Sequence, residues 1–100
     1  MSELHVVMVM PEKKRPYITD IPNSPREFEQ LVGGPVDILN FHQQYRLVCN
    51  IDEGYDLTYN KKKPSSTFFI VKYQGQFESL SEAEAEEVSH VLKLKLKKWK

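Results

Sequence analysis

Leu4-His5-Val6-Val7-Met8-Val9-Met10 is an almost unbroken apolar run rich in β-branched residues. That pattern predicts a strand covered on both faces. Pro11 ends it, a polar stretch to Pro16 carries Lys13, Lys14 and Arg15, and Tyr17-Ile18-Thr19-Asp20-Ile21 predicts a partner strand across a longish hairpin loop. The period then becomes helical. Phe28, Leu31 and Val32 share one face at i, i+3, i+4. Ser24 suits the N-cap, Pro25 the first helical position, and Glu27 completes a capping box. Gly33 and Pro35 stop this helix after two to three turns.

Residues 36–41 and 45–51 predict a second hairpin, turning at His42-Gln43-Gln44. Asp52-Glu53-Gly54 has turn chemistry, and residues 55–66 predict a loop centred on Lys61-Lys62-Lys63-Pro64. Thr67 to Tyr73 carries the clearest strand pattern in the chain, closed by a turn at Gln74-Gly75-Gln76. Ser81 and Glu84 form a second capping box, and Leu80 with Ala85 a hydrophobic staple. Val88, Val91 and Leu92 carry the helix to about residue 92. Beyond it two periods fit. Leu92, Leu94 and Leu96 alternate with lysines as in a strand, while Val88, Leu92, Leu96 and Trp99 keep the helical spacing. A helix is favoured, and a short strand over 93–99 is the alternative. That strand would expose an edge able to pair with a second copy of the chain, a route to a homodimer. The expected fold is α+β, one domain over 1–100: a mixed or antiparallel sheet of five strands with two helices packed on it, in the order ββαβββα.

Composition narrows the function. Fourteen Lys and Arg balance fourteen Asp and Glu, which argues against a general polyanion binder. The distribution is uneven, since five of the last eight residues are Lys and Glu82, Glu84, Glu86 and Glu87 precede them. No apolar run is long enough to span a membrane, and the first residues lack the basic start and apolar core of a signal peptide. A cytoplasmic protein without a membrane partner is expected.

Cys49 is the only cysteine and sits in an apolar run, so a buried, inert thiol is expected. His5, His42 and His90 are scattered over a strand, a turn and a helix, with no metal-ligand spacing. No nucleophile elbow or phosphate loop occurs. Catalytic residues, metal ligands and cofactors are therefore not assigned, and the protein is expected to be a binding protein rather than an enzyme.

The candidate binding residues are Tyr55, Tyr59, Asn60, Lys61, Lys62, Lys63 and Trp99. The lysines could hold phosphate with a tyrosine stacked on a base, or be a solvated loop. The basic C-terminal segment could meet nucleic acid or an acidic surface, complement the dipole of its own helix, or anchor a protein partner through Trp99. Tyr45, Tyr55, Tyr59 and Tyr73 fall near turns or strand ends, and some of them are expected on the surface as part of a protein-binding patch.

Together these segments carry a resemblance. Leu31-Val32-Gly33-Gly34, Leu47-Val48-Cys49-Asn50, Asn60-Lys61-Lys62 and the strand ending Gln74-Gly75 before Ser79-Leu80-Ser81-Glu82 stand in an order that resembles a small domain of unknown function common in bacteriophage and conjugative-element proteins. The resemblance covers about residues 6–91. Where that family has Asn followed by two arginines this chain has Lys61 and Lys62, which lack the planar fork for two-point anion binding. Where it tends to have Gly before the fifth strand, this chain has Ser66-Thr67. The resemblance implies an accessory protein of a phage or mobile element in a bacterial cytoplasm. Such a protein would act by contact with a host protein, as an inhibitor of a defence component such as a CRISPR nuclease. Binding of nucleic acid or nucleotides through 61–63 and the basic C-terminal segment is the alternative.

Overall fold

In a computed structural model, which describes residues 3–13 and 15–100, the chain is an antiparallel sheet with helices on both faces. The elements are β1 (Glu3–Val9), β2 (Tyr17–Pro22), α1 (Pro25–Val32), β3 (Val36–His42), β4 (Tyr45–Asn50), α2 (Ile51–Asn60), β5 (Phe68–Tyr73), β6 (Phe77–Glu78) and α3 (Glu82–Lys98). The strands lie in the order β2-β1-β5-β4-β3. β6 pairs with the end of β5 that β1 leaves uncovered, Lys72 opposite Glu78 and Tyr73 opposite Phe77. The α+β class is as expected. Among the described residues the sheet has six strands rather than five, all paired antiparallel, and there are three helices rather than two.

Alternation along the three central strands builds two nonpolar layers. Leu4, Val6 and Met8 of β1, Val48 of β4, and Phe69 and Val71 of β5 face α1, where Phe28 and Val32 close the layer. Val7, Val9, Leu47, Cys49, Phe68 and Ile70 face the other way, toward Ala85, Val88 and Leu92 of α3 and Leu57 of α2. β1 is thus buried on both faces, as its unbroken apolar run predicts.

The third helix is the main correction. Residues 51–60 are helical where a turn over 52–54 and a loop from 55 were expected. Asn50 caps the helix, its side chain accepting from the Asp52 amide at 2.9 Å, and Asp52 and Glu53 sit in the first turn, where the helix dipole favours them. Gly54 suggested a turn for a different reason. It lies against β3, where an added Cβ would stand 3.0 Å from the Cβ of Asp37 and 2.5 Å from its carboxylate. The glycine admits the helix to the sheet rather than breaking it.

Two smaller corrections concern helix ends. Ser24 stands at the N-cap of α1, but its side chain makes no capping bond, so the expected capping box does not form and Pro25 starts the helix. Gly33 is the left-handed stop, with φ of 84° and its amide donating to the Glu29 carbonyl. The Ser81–Glu84 box does form, with both reciprocal bonds. α3 then runs to Lys98, so the favoured helix extends through 93–98, and the alternative strand over 93–99, with the edge it would offer a second copy, does not form. Leu92 is buried and Leu96 and Trp99 pack on the same layer, which is the helical reading of the pattern.

Candidate nucleic-acid interface

The Val9–Phe68 register places the exit of β1 and the entry of β5 at one end of the sheet. The loop 10–16 and the segment 61–67 therefore meet there. α3 starts from β6 and runs back across the sheet toward the same end. Three basic segments converge as a result, namely 13–15, 61–63 and 93–100. They hold ten of the fourteen Lys and Arg residues, leaving aside Lys14, which lies outside the described residues.

Backbone bonds fix part of this convergence. Lys61 ends α2 in the left-handed conformation, φ 54°, and its amide donates to the Asp56 carbonyl. The Lys63 amide donates to the Lys100 carbonyl at 3.1 Å, and the Lys100 amide donates back to the Lys61 carbonyl at 2.9 Å. Lys63, Lys100, Lys13 and Arg15 then ring a cleft of about 320 Å³ floored by Val9 and Leu96. Arg15 and Leu96 also border a second depression, which Lys93 and Lys97 line along α3. On the opposite flank of α3 a groove of about 470 Å³ runs between β3 and α2, with Lys61, Lys95 and Trp99 among its walls. Glu12 is exposed in the loop beside Lys13. The carboxylates of α3, by contrast, gather at its other end, so a chain of zero net charge is strongly polarised along this helix.

The residues singled out by sequence divide into three groups. Lys61, Lys63 and Trp99 belong to the basic end. Lys62 turns the other way, toward a depression lined by Asp52, Glu53 and Asp56, and the Asn60 amide donates to the Asp56 carboxylate at 3.2 Å. Tyr55 and Tyr59 lie one turn apart on the outer face of α2, with ring centroids 4.7 Å apart and exposures of 62% and 70%, and Ile51 extends the same ridge. Tyr45 is not at the surface. It is buried, and its hydroxyl donates to Glu87 at 3.0 Å. Tyr73 is half-buried under Arg46 and against Phe77.

The sequence alone places Lys13 and Arg15 only in a turn. Pairing β1 with β5 antiparallel is the signal that would have joined them to 61–63, and nothing in the sequence dictates that pairing.

Electrostatics disfavours covalent chemistry at the thiol. Burial, then the Asp37 and Glu53 carboxylates, push Cys49 up to about 12, so it stays a neutral thiol at physiological pH. Burial, then the hydrogen bond to Glu87, pushes Tyr45 up to about 12. Glu84 is held below the usual carboxylate range by the Ser81 amide and by Lys72, whose ammonium lies 3.1 Å away. Among the described residues, no group of three or more His, Cys, Asp or Glu side chains could hold a metal ion. No helix among them is long and apolar enough to cross a membrane.

A family model described as a domain of unknown function (DUF3846) matches residues 4–93. The chain belongs to this family. The matched span of the DUF3846 domain takes in all of the sheet from Leu4 onward, α1, α2 and most of α3. Residues 94–100, among them Lys95, Trp99 and Lys100, lie beyond it, so part of the basic end falls outside the matched span. No curated protein and no solved structure matches the chain.

Proposed function

We propose that this protein is a binding module whose basic end takes up the phosphate backbone of a nucleic acid. The observation that carries this reading is the meeting of Lys13, Arg15, Lys63 and Lys100 around one cleft at the end of the sheet, with Lys61 and Lys63 tied to Lys100 by paired backbone bonds. Clustered lysines release counterions when they neutralise phosphates, which supplies affinity without sequence readout. Net neutrality does not oppose this, because the carboxylates of α3 gather at its far end and would orient the protein on approach. Six phosphate contacts on a single strand would give a log–log salt slope of about −4.

The test is binding of a labelled oligonucleotide over a salt series. Replacing Lys61 and Lys63 by Ala should flatten the slope by roughly 1.4, and replacing Lys13 and Arg15 should do the same. A slope near zero for the unaltered chain, or lysine variants that bind as well as it does, would falsify this reading.

A second reading has its own observation. Ile51, Tyr55 and Tyr59 form an exposed apolar ridge on α2 that the core does not use, and aromatic residues of this kind anchor protein interfaces. On this reading the protein contacts a host protein, as an inhibitor of a defence component such as a CRISPR nuclease, in the phage or mobile-element setting and bacterial cytoplasm that the resemblance implies. Affinity capture from nuclease-treated lysate checks it. A partner retained by the unaltered chain and lost with Tyr55→Ala/Tyr59→Ala favours it. A partner retained equally by both removes the ridge from the argument.

A further inference from the structure

We infer that the groove between β3, α2 and α3 receives an unstacked base of a single-stranded nucleic acid whose phosphates run along the basic end. This rests on the nucleic-acid reading above and names the form of the ligand. Phosphate tracking alone needs only exposed cations. This groove has more. Phe41 and Leu57 lie in its floor and Trp99 stands in its wall. Trp99 is half-buried, set edge-to-face against Phe68 with centroids 6.4 Å apart, so the core fixes its orientation while part of the ring still lines the groove. The volume, about 470 Å³, falls in the range of about 300–1,000 Å³ usual for small-ligand sites.

The polar groups around it suit a neutral base attached to an anionic backbone. Lys95 holds its ammonium 5.5 Å from the centre of the Phe41 ring, and Lys61 stands at the opposite lip. The exposed amide of Asn40 offers both a donor and an acceptor to a base edge. Lys61, in the wall of this groove, is tied to the phosphate-binding end, because its carbonyl accepts from the amide of Lys100, which lines the basic cleft. On this proposal a strand whose phosphates lie on Lys63 and Lys100 continues past Lys61 to the groove. A duplex keeps its base faces stacked and has nothing to insert. Stacking on aromatic side chains is how single strands are distinguished from duplexes.

Trp99 is the only tryptophan in the chain, so its emission reports this groove directly. The test titrates the full chain at low salt with a single-stranded oligonucleotide of about ten nucleotides, within the usual site size, and with the duplex of the same sequence. The single strand should quench the emission to saturation, the duplex should leave it unchanged, and the single strand should bind at least about fivefold more tightly. Trp99→Leu should bring single-strand affinity down to that for the duplex. Should this variant fail to fold, the emission of the unaltered chain decides alone. Equal affinity for the two forms, or equal quenching by both, overturns the groove proposal and leaves phosphate binding by the basic end standing. Binding of neither form overturns both.

Discussion

The two faces of the sheet are covered in different ways. Over one face lies α1 alone, eight residues long, with Phe28 and Val32 turned into a nonpolar layer and Arg26, Glu29 and Gln30 turned to solvent. Over the other lie α2 and α3. Their layer includes the ionisable groups of Tyr45 and Cys49, and the outer positions of α2 carry Ile51, Tyr55 and Tyr59. α1 spends its large side chains on the core. α2 turns only Gly54 and Leu57 fully inward and shows its large side chains to water. A helix that buries so little yet exposes two tyrosines in contact with each other is not explained by folding alone. The α1 face should therefore dominate stability, and the α2 and α3 face should hold the surfaces that bind.

The largest effect tests the α1 face. Phe28 meets Phe69 and Phe77 edge-on, both at 5.3 Å between centroids. Phe28→Ala should cost about 3–5 kcal/mol, read from the denaturant midpoint at unchanged slope. A loss under about 1 kcal/mol would mean that this layer collapses around the cavity and that the faces are not so different.

Next comes alkaline pH, which acts on the other face. Cys49 and Tyr45 both have folded pKa values raised by burial. A group raised in this way contributes stability that is complete below its unfolded pKa and lost as pH rises toward the folded one. For Cys49 the window opens near 9 and closes near 12, and for Tyr45 it opens near 10 and closes near 12. Within it each group should lower stability by about 1.4 kcal/mol per pH unit. Cys49→Ala should abolish the loss between pH 9 and 10 in a series of denaturant titrations. An unchanged pH profile in that variant would place the sensitive group elsewhere.

α2 is also where the sequence is hardest to read. α1 announces itself through Phe28, Leu31, Val32 and Gly33, and its helix forms even though Ser24 does not cap it. α2 has a working cap at Asn50, but of its apolar side chains only Leu57 turns inward and a glycine sits in its middle, so periodicity and propensity both argue for a loop. The reason is tertiary. Gly54 is required by Asp37, seventeen residues away on β3, and no local pattern carries that information. The basic end was half legible for the same reason. The lysine runs are plain in the sequence, but their meeting depends on β1 pairing with β5. Neutral net charge pointed away from a polyanion surface only because charge was counted along the chain before it was placed in space.

That account of Gly54 predicts a smaller effect with a sign opposite to helix propensity. In an open helix Gly→Ala stabilises by about 0.5–1 kcal/mol. Here Gly54→Ala should destabilise by about 1 kcal/mol, because the new methyl meets Asp37. With Asp37→Ala already in place, the same change should cost less, since the carboxylate is gone. A double-mutant cycle measures the coupling, and additive effects would show that the close approach to β3 is not what holds position 54 to glycine.

The smallest expected effect sharpens the comparison most. Tyr55 and Tyr59 are exposed and touch chiefly each other. Losing their i, i+4 contact removes about 0.2–0.5 kcal/mol, while alanine's better helix propensity returns a few tenths at each position. The double variant Tyr55→Ala/Tyr59→Ala should therefore unfold within about 0.5 kcal/mol of the unaltered chain. A loss well above 1 kcal/mol would make the ridge structural and undo the contrast with α1. With stability unchanged, the same variant separates the two binding readings. The ridge lies on α2 outside the Trp99 groove, whose α2 residues are Leu57 and Thr58. Oligonucleotide affinity should persist if the basic end and groove bind the nucleic acid by themselves, and should fall if the strand also stacks across the tyrosines. Capture of a protein partner should fail if the ridge is a docking surface. One variant that leaves the fold intact thus shows whether the outward face of α2 extends the nucleic-acid site or serves a separate contact.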